Sequence, residues 1–155
     1  MTRLEQVINK IEEAFADVPY PGDRAICSDP DYWESAEIIE HFRGCHWKEV
    51  PRDYLQYHQH DLPFFSPEGL RYYLPAYLFA ALEPLGDTLE FTVYEVDPET
   101  EGDNSFWSKR FDSMTPAQKN AIRMWLEYIR DEMPRHMDRP TVQAALDKYW
   151  GRDWE

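Results

Sequence analysis

Apolar residues recur at helical spacing along most of this chain, and the polar residues between them mark where each helix starts and stops. Leu4, Val7, Ile8, Ile11 and Phe15 fall on one helical face behind a Thr2/Glu5 capping box. Val18-Pro-Tyr-Pro-Gly22 ends that helix with turn chemistry. A second helix is predicted from about Pro30 to Phe42, capped near Asp29 and stopped by Gly44. Its expected buried side is Tyr32, Trp33, Ala36, Ile39 and Phe42, with Glu34, Glu37 and Glu40 in water. Pro51 opens a third, short helix to about His58, with Tyr54, Leu55 and Tyr57 available for packing.

The stretch from Phe64 to Leu82 carries the strongest pattern. Ser66 is a helix cap, Pro67 sits where its missing N–H is harmless, and Glu68 complements the helix dipole. Leu70, Tyr73, Leu74, Tyr77, Leu78 and Ala81 form one apolar stripe that continues across Pro75. A proline there removes one backbone hydrogen bond and crowds the preceding turn. The expectation is a kink near Arg71–Leu74, or two helices meeting there.

Residues 88–96 are ambiguous. Leu89, Phe91 and Val93 alternate with Glu90, Thr92 and Tyr94, which argues for a strand. A lone strand would leave its edges unpaired and no second strand is evident, so a short helix stays open as the alternative. An acidic loop, Asp97–Asn104, follows. Thr115-Pro-Ala-Gln118 then begins the clearest helix, with Ile122, Trp125, Leu126, Ile129 and Met133 inward and Pro134 at its end. A last helix is predicted over Pro140–Trp150, with Val142, Ala145, Leu146 and Tyr149 inward and Gly151 as terminator. The fold class expected is mainly α: a single domain over 1–155, about six helices around the central one, with one possible short extended segment near 88–96.

Charge narrows the function classes. The net charge is −14, and it is uneven: residues 1–50 carry 5 basic and 11 acidic side chains, 51–104 carry 2 and 11, and 105–155 carry 9 and 8. Such a surface repels nucleic-acid backbones and steers basic partners inward. Aromatic residues make up 15% of the chain, far too many for a disordered acidic tail. Cys27 and Cys45 form no C-x-x-C motif and no disulfide framework. The first residues lack an apolar signal core, and no apolar run reaches membrane-spanning length, so the cytoplasm is the expected location.

Candidate chemistry is sparse. Glu37 and His41 share a helix face, but the di-iron pattern needs Glu-x-x-His in two copies. His58 and His60 are two apart, and Cys45-His46 matches no zinc knuckle. No nucleophile elbow and no phosphate-cradling glycine loop is present. Neither a cofactor nor a metal is expected. The best partner-binding candidate is the acidic run Glu95, Asp97, Glu99, Glu101 and Asp103 beside Trp107, read as an exposed aromatic anchor.

Trp47-Lys-Glu-Val-Pro51, the Pro67–Leu78 block Pro-Glu-Gly-Leu-Arg-Tyr-Tyr-Leu-Pro-Ala-Tyr-Leu and Thr115–Gln118 together resemble an uncharacterised bacterial family, over most of residues 40–130. The resemblance implies no activity and transfers no catalytic residue.

The function expected is a small acidic, cytoplasmic protein-binding domain, for example an immunity or inhibitor protein masking a basic partner such as a toxin. The alternative is a metal-dependent or small-molecule enzyme with a pocket near the Pro75 kink, using His41, His46, His58 and His60. A third reading is a domain that oligomerises through exposed Trp residues.

Overall fold

The predicted caps at Thr2, Ser66 and Thr115 set helix starts, whereas Asp29 caps nothing: the second helix begins at Trp33, after Tyr32 and without a side-chain cap. The computed structural model describes residues 1–83, 86–98 and 104–155. Thr2 Oγ1 accepts from Glu5 N–H at 3.1 Å while Glu5 accepts from Thr2 N–H at 2.9 Å. Thr115 and Gln118 repeat this box at 3.1 and 3.0 Å, and Ser66 Oγ accepts from Gly69 N–H at 2.8 Å. Each such cap satisfies donors that the helix itself leaves orphaned, worth about 1 kcal/mol.

Eight α-helices appear among the described residues: α1 Arg3–Phe15, α2 Trp33–Phe42, α3 Arg52–Tyr57, α4 Pro67–Ala81, α5 Thr88–Val96, α6 Ser105–Phe111, α7 Pro116–Glu132 and α8 Arg139–Ala145. Among those residues there is no strand, only an isolated antiparallel bridge between Cys27 and Phe65. None of the helices is long and apolar enough to cross a membrane.

Several sequence expectations change. The 88–96 segment is helical: Leu89, Val93 and Val96 are buried at i, i+4 and i+7, and Thr92 Oγ1 bonds back to the Thr88 carbonyl at 2.7 Å. Alternation thus lost to helical burial. The short helix α6 falls in a stretch to which the sequence pattern assigns no element. Helix α2 starts later and is rotated relative to the expectation. Ser35, Ile38 and Phe42 are its buried side, whereas Trp33 is 67% exposed. Helix α4 runs unbroken through Pro75, so two separate helices do not form.

The chain gathers into two bodies, residues 18–95 and residues 1–17 with 96–155. In the latter, α1 packs on α7 through Val7, Ile11 and Phe15, and Arg3 reaches Asp131 at 2.8 Å. The adjoining Arg130 and Arg3 hold the Asp131 carboxyl well below the usual carboxylate range. Helix α8 widens into a π-type turn at Leu146–Trp150. The wider turn brings Trp150 to 0% exposure in place of the expected Tyr149, and its Nε1–H donates to the Val96 carbonyl at 2.8 Å.

In the body 18–95, α4 is buried on nearly every side, from Gly69 to Ala81. A helix enclosed this way must find partners for every polar tip it carries. Tyr73 Oη lies 2.8 Å from the carbonyls of both Phe42 and Cys45, so its one proton is shared at the end of α2. Tyr77 Oη donates to the His58 carbonyl at 3.0 Å, at the end of α3. Burial pushes both phenols well above their ordinary range. Gly44, at φ +70°, turns the chain out of α2, and its N–H donates to Tyr20 Oη at 2.8 Å. At the start of α4, Ser66 Oγ donates to Ala25 O at 2.5 Å and Ser66 N–H to Ile26 O at 2.9 Å.

That close approach generates one expectation. A Cβ on Gly69 would lie 2.0 Å from the Ile26 carbonyl oxygen, against backbone that cannot swing away. Gly69→Ala should lose about 1–3 kcal/mol in urea unfolding. Unchanged stability would mean that Ile26 is not held against α4.

A second expectation concerns Cys27, which is buried and donates its S–H to Ser35 O at 3.9 Å. Burial pushes the thiol up to about 11. The folded state therefore keeps a proton that the unfolded chain releases near pH 8.5. This contribution is complete below the unfolded value and lost as pH rises through about 11. The stability advantage of wild type over Cys27→Ala should shrink by about 2 kcal/mol between pH 8 and 10 in urea melts.

Candidate functional site

Because Tyr73 and Tyr77 fix the ends of α2 and α3, the side chains on those ends meet. His41 Nδ1 lies 2.7 Å from His58 Nε2, and His58 Nδ1 lies 2.8 Å from Asp61 Oδ2. His58 is 1% exposed; His41 and Asp61 are half-buried. Asp61 accepts, so His58 Nδ1 carries a proton, and the imidazole–imidazole gap holds one more. Facing nitrogens at 2.7 Å share that proton and leave no room for an ion between them, since zinc–nitrogen bonds are about 2.0–2.1 Å each.

Aromatic rings frame the relay. Tyr54 stacks on His41 with centroids 4.4 Å apart, and Tyr57 meets the same ring edge-on at 5.8 Å. Tyr57 Oη donates to Glu37 Oε1 at 2.5 Å, and this carboxylate holds the phenol above its ordinary range. Trp33, Glu37 and His41 are spaced at i, i+4 and i+8, so they share one stripe of α2. Trp33 and Tyr57 are 67% and 61% exposed, beside the acids Glu34, Glu37, Glu40 and Asp53. The face can offer flat apolar area and carboxylates at once. Residues 18–95 carry 14 acidic and 5 basic side chains, a balance of −9.

The acidic run looks different from its expectation. Trp107 is 7% exposed and its Nε1–H donates to Val96 O at 3.3 Å, so it belongs to the core and is not an exposed anchor. The neighbouring Phe106 is the exposed ring, with the Arg110 guanidinium 4.9 Å above it. Asp97 pairs with Lys148 at 3.2 Å, and Glu95 is half-buried. Glu99, Glu101 and Asp103 lie outside the described residues.

Of the four candidate histidine ligands, only His41 and His58 come together. His46 caps its own turn by accepting from Lys48 N–H at 3.1 Å, and His60 packs on Phe91 at 4.0 Å. Among the described residues, no three His, Cys, Asp or Glu side chains converge to hold a metal. A groove of about 190 Å³ does lie beside α4, lined by Trp47, Arg52, Leu55, Ala76, Phe79 and Glu83. It is smaller than the roughly 300–1,000 Å³ of ordinary ligand pockets. Arg52 occupies part of it, donating to the Ala80 and Glu83 carbonyls and the Glu83 carboxylate. A polar cavity of about 350 Å³ between α7 and the π-type turn is lined by arginines already engaged. Arg123 meets Glu127, Arg130 meets Asp131, and Arg152 stacks on Trp154.

Sequence reading missed the α2–α3 face for a specific reason. It placed Trp33 inward and treated Tyr54 and Tyr57 as packing residues. The available signal was the set Trp33, Glu37 and His41, because acids at i+4 from an aromatic mark a wet stripe.

Fold and site together define a mainly helical protein with an exposed acidic–aromatic face. Residues 3–154 match a family of unknown function (DUF6714), and the chain belongs to that family. No curated protein and no solved structure matches it.

Removing the middle of the relay should be felt in stability. His58→Leu leaves Asp61 without its donor and His41 without its partner, an expected loss of about 2–3 kcal/mol in urea melts. Tyr57→Phe deletes only a solvent-exposed bond and should stay within about 0.5 kcal/mol of wild type. Equal effects from the two would mean that the relay is not a buried, coupled unit.

Proposed function

We propose that this chain is a cytoplasmic protein-binding domain that masks a basic partner, as an immunity or inhibitor protein masks a toxin. One observation carries the reading: Trp33 and Tyr57 stand exposed on the α2–α3 face, set among the carboxylates of a body with a −9 balance. Exposed aromatics at the centre of a patch are the usual anchors of binding energy, and surrounding acids speed a cationic partner inward. No comparable observation favours the small-molecule enzyme, since the groove beside α4 is small and partly filled by Arg52.

The test starts from capture of partners from the native host at low and high salt, followed by calorimetry with the purified partner. A basic protein bound one-to-one is expected, with affinity that falls as salt rises past the ~8 Å screening length. Trp33→Ala should weaken it by tenfold or more while leaving the thermal melt unchanged, because its ring lies outside the core. A partner indifferent to both Trp33→Ala and salt, or none at either salt, would overturn the reading.

A further inference from the structure

The His41–His58 hydrogen bond limits how many protons the two rings can carry together. In the chain Asp61 Oδ2···Nδ1 His58 Nε2···Nδ1 His41, each gap holds one proton. With the chain intact, the four ring nitrogens hold at most three: one toward Asp61, one shared, and one on His41 Nε2. A fourth proton would put N–H groups on both sides of a 2.7 Å gap. Two like-charged rings would then face one carboxylate, Asp61, with His58 1% exposed and unable to leave.

His41 is the ring that can move, being half-buried near the end of α2. Around it stand Glu37 on its own helix and Tyr54 and Tyr57 on α3. Around His58 stand Asp61, the ring edge of Phe42, and Tyr77 from α4 at its carbonyl, with Cys27 near Asp61. Arg43, the residue that caps the end of α2, is paired with Glu40 at 3.5 Å. Glu37 lies one turn before His41, so it is the carboxylate that a released imidazolium meets. Meeting it displaces the Tyr57 hydroxyl, which now donates to Glu37.

We propose that the His41–His58 hydrogen bond is a pH switch for the α2–α3 face, in which acidification transfers His41 from His58 to Glu37. The transfer unstacks Tyr54, frees Tyr57 and neutralises one of the carboxylates that a basic partner would use. The switch regulates the face put forward above for docking, and in its partner-release step it rests on that reading. Acidification that adds the fourth proton thus closes the face, and removing that proton restores it.

Spectra of the free, full-length chain from pH 8 to 5.5 test the switch without any partner. Long-range ¹H–¹⁵N correlations follow the imidazole nitrogens, and ¹H–¹³C spectra follow the Tyr54 and Tyr57 rings. The expected result is a joint movement of both tyrosine rings as the fourth proton is taken up. That movement should vanish in His41→Phe, which keeps the stacking ring, and shrink in Glu37→Gln, which keeps an acceptor for Tyr57. A shared imidazole proton still present at pH 5.5, or identical tyrosine shifts in His41→Phe, would overturn the proposal. With a purified basic partner, affinity should fall at least tenfold from pH 7.5 to 5.5 in wild type and hold in His41→Phe. Equal falls in both would overturn the regulatory step. Absence of any basic partner would remove the docking reading alone, and the tyrosine shifts would still decide the switch.

Discussion

Enclosing α4 forces its tyrosine hydroxyls to find acceptors, and that constraint shapes the body formed by residues 18–95. A buried phenol without a partner costs about 1–3 kcal/mol, so each must meet an acceptor. Tyr73 and Tyr77, one turn apart, take carbonyls at the C-terminal ends of α2 and α3. Each of those carbonyls also accepts from a backbone N–H in the turn that follows, Cys45 onto Phe42 and Asp61 onto His58, at 3.0 Å. The polar tips of the central helix are thus anchored on the turns that end its neighbours. The Phe42, Phe65, Tyr73 and Tyr77 rings fill the space between, at centroid distances of 5.0–6.5 Å.

The candidate site is a consequence of that arrangement. Tyr77 holds the His58 backbone, Tyr73 holds the Phe42 backbone, and His41 and His58 are brought to 2.7 Å. With Asp61 behind His58, the buried imidazole is satisfied at both nitrogens, while the exposed rings of Tyr54, Tyr57 and Trp33 face outward. The same relay that makes the interior whole therefore ties the interior to the surface. Residues 1–17 with 96–155 use the equivalent chemistry. There the carbonyl ending α5, on Val96, accepts from the indoles of both Trp107 and Trp150.

Much of this was legible before the structure. Helix starts at Thr2, Ser66 and Thr115 are written in residue types that act locally, so they hold whatever packs around them. The stripe of α7 follows from a 3.6-residue period that only one face can bury, and all of Ile122, Trp125, Leu126 and Ile129 are in the core. The 88–96 segment was not legible, because β-branched alternation and helical spacing coexist there and burial alone separates them. The rotation of α2 was hidden for a related reason. Trp33 and Tyr32 are apolar enough to be read as core, and nothing local says that Ser35 and Ile38 win the inward side.

By itself the sequence determined the helical class, the caps at Thr2, Ser66 and Thr115, the acidity and the family resemblance, because each rests on neighbours within a few residues or on totals. Tertiary structure alone decided which aromatics are exposed and which histidines meet. Trp107 and Trp33 changed places relative to expectation, one drawn inward by the Val96 carbonyl and the other left on the wet stripe of α2. His41 and His58 are 17 residues apart, and the tyrosines that align them lie further along the chain on α4. Such a contact depends on how packed helices end against one another, and local sequence carries no record of it.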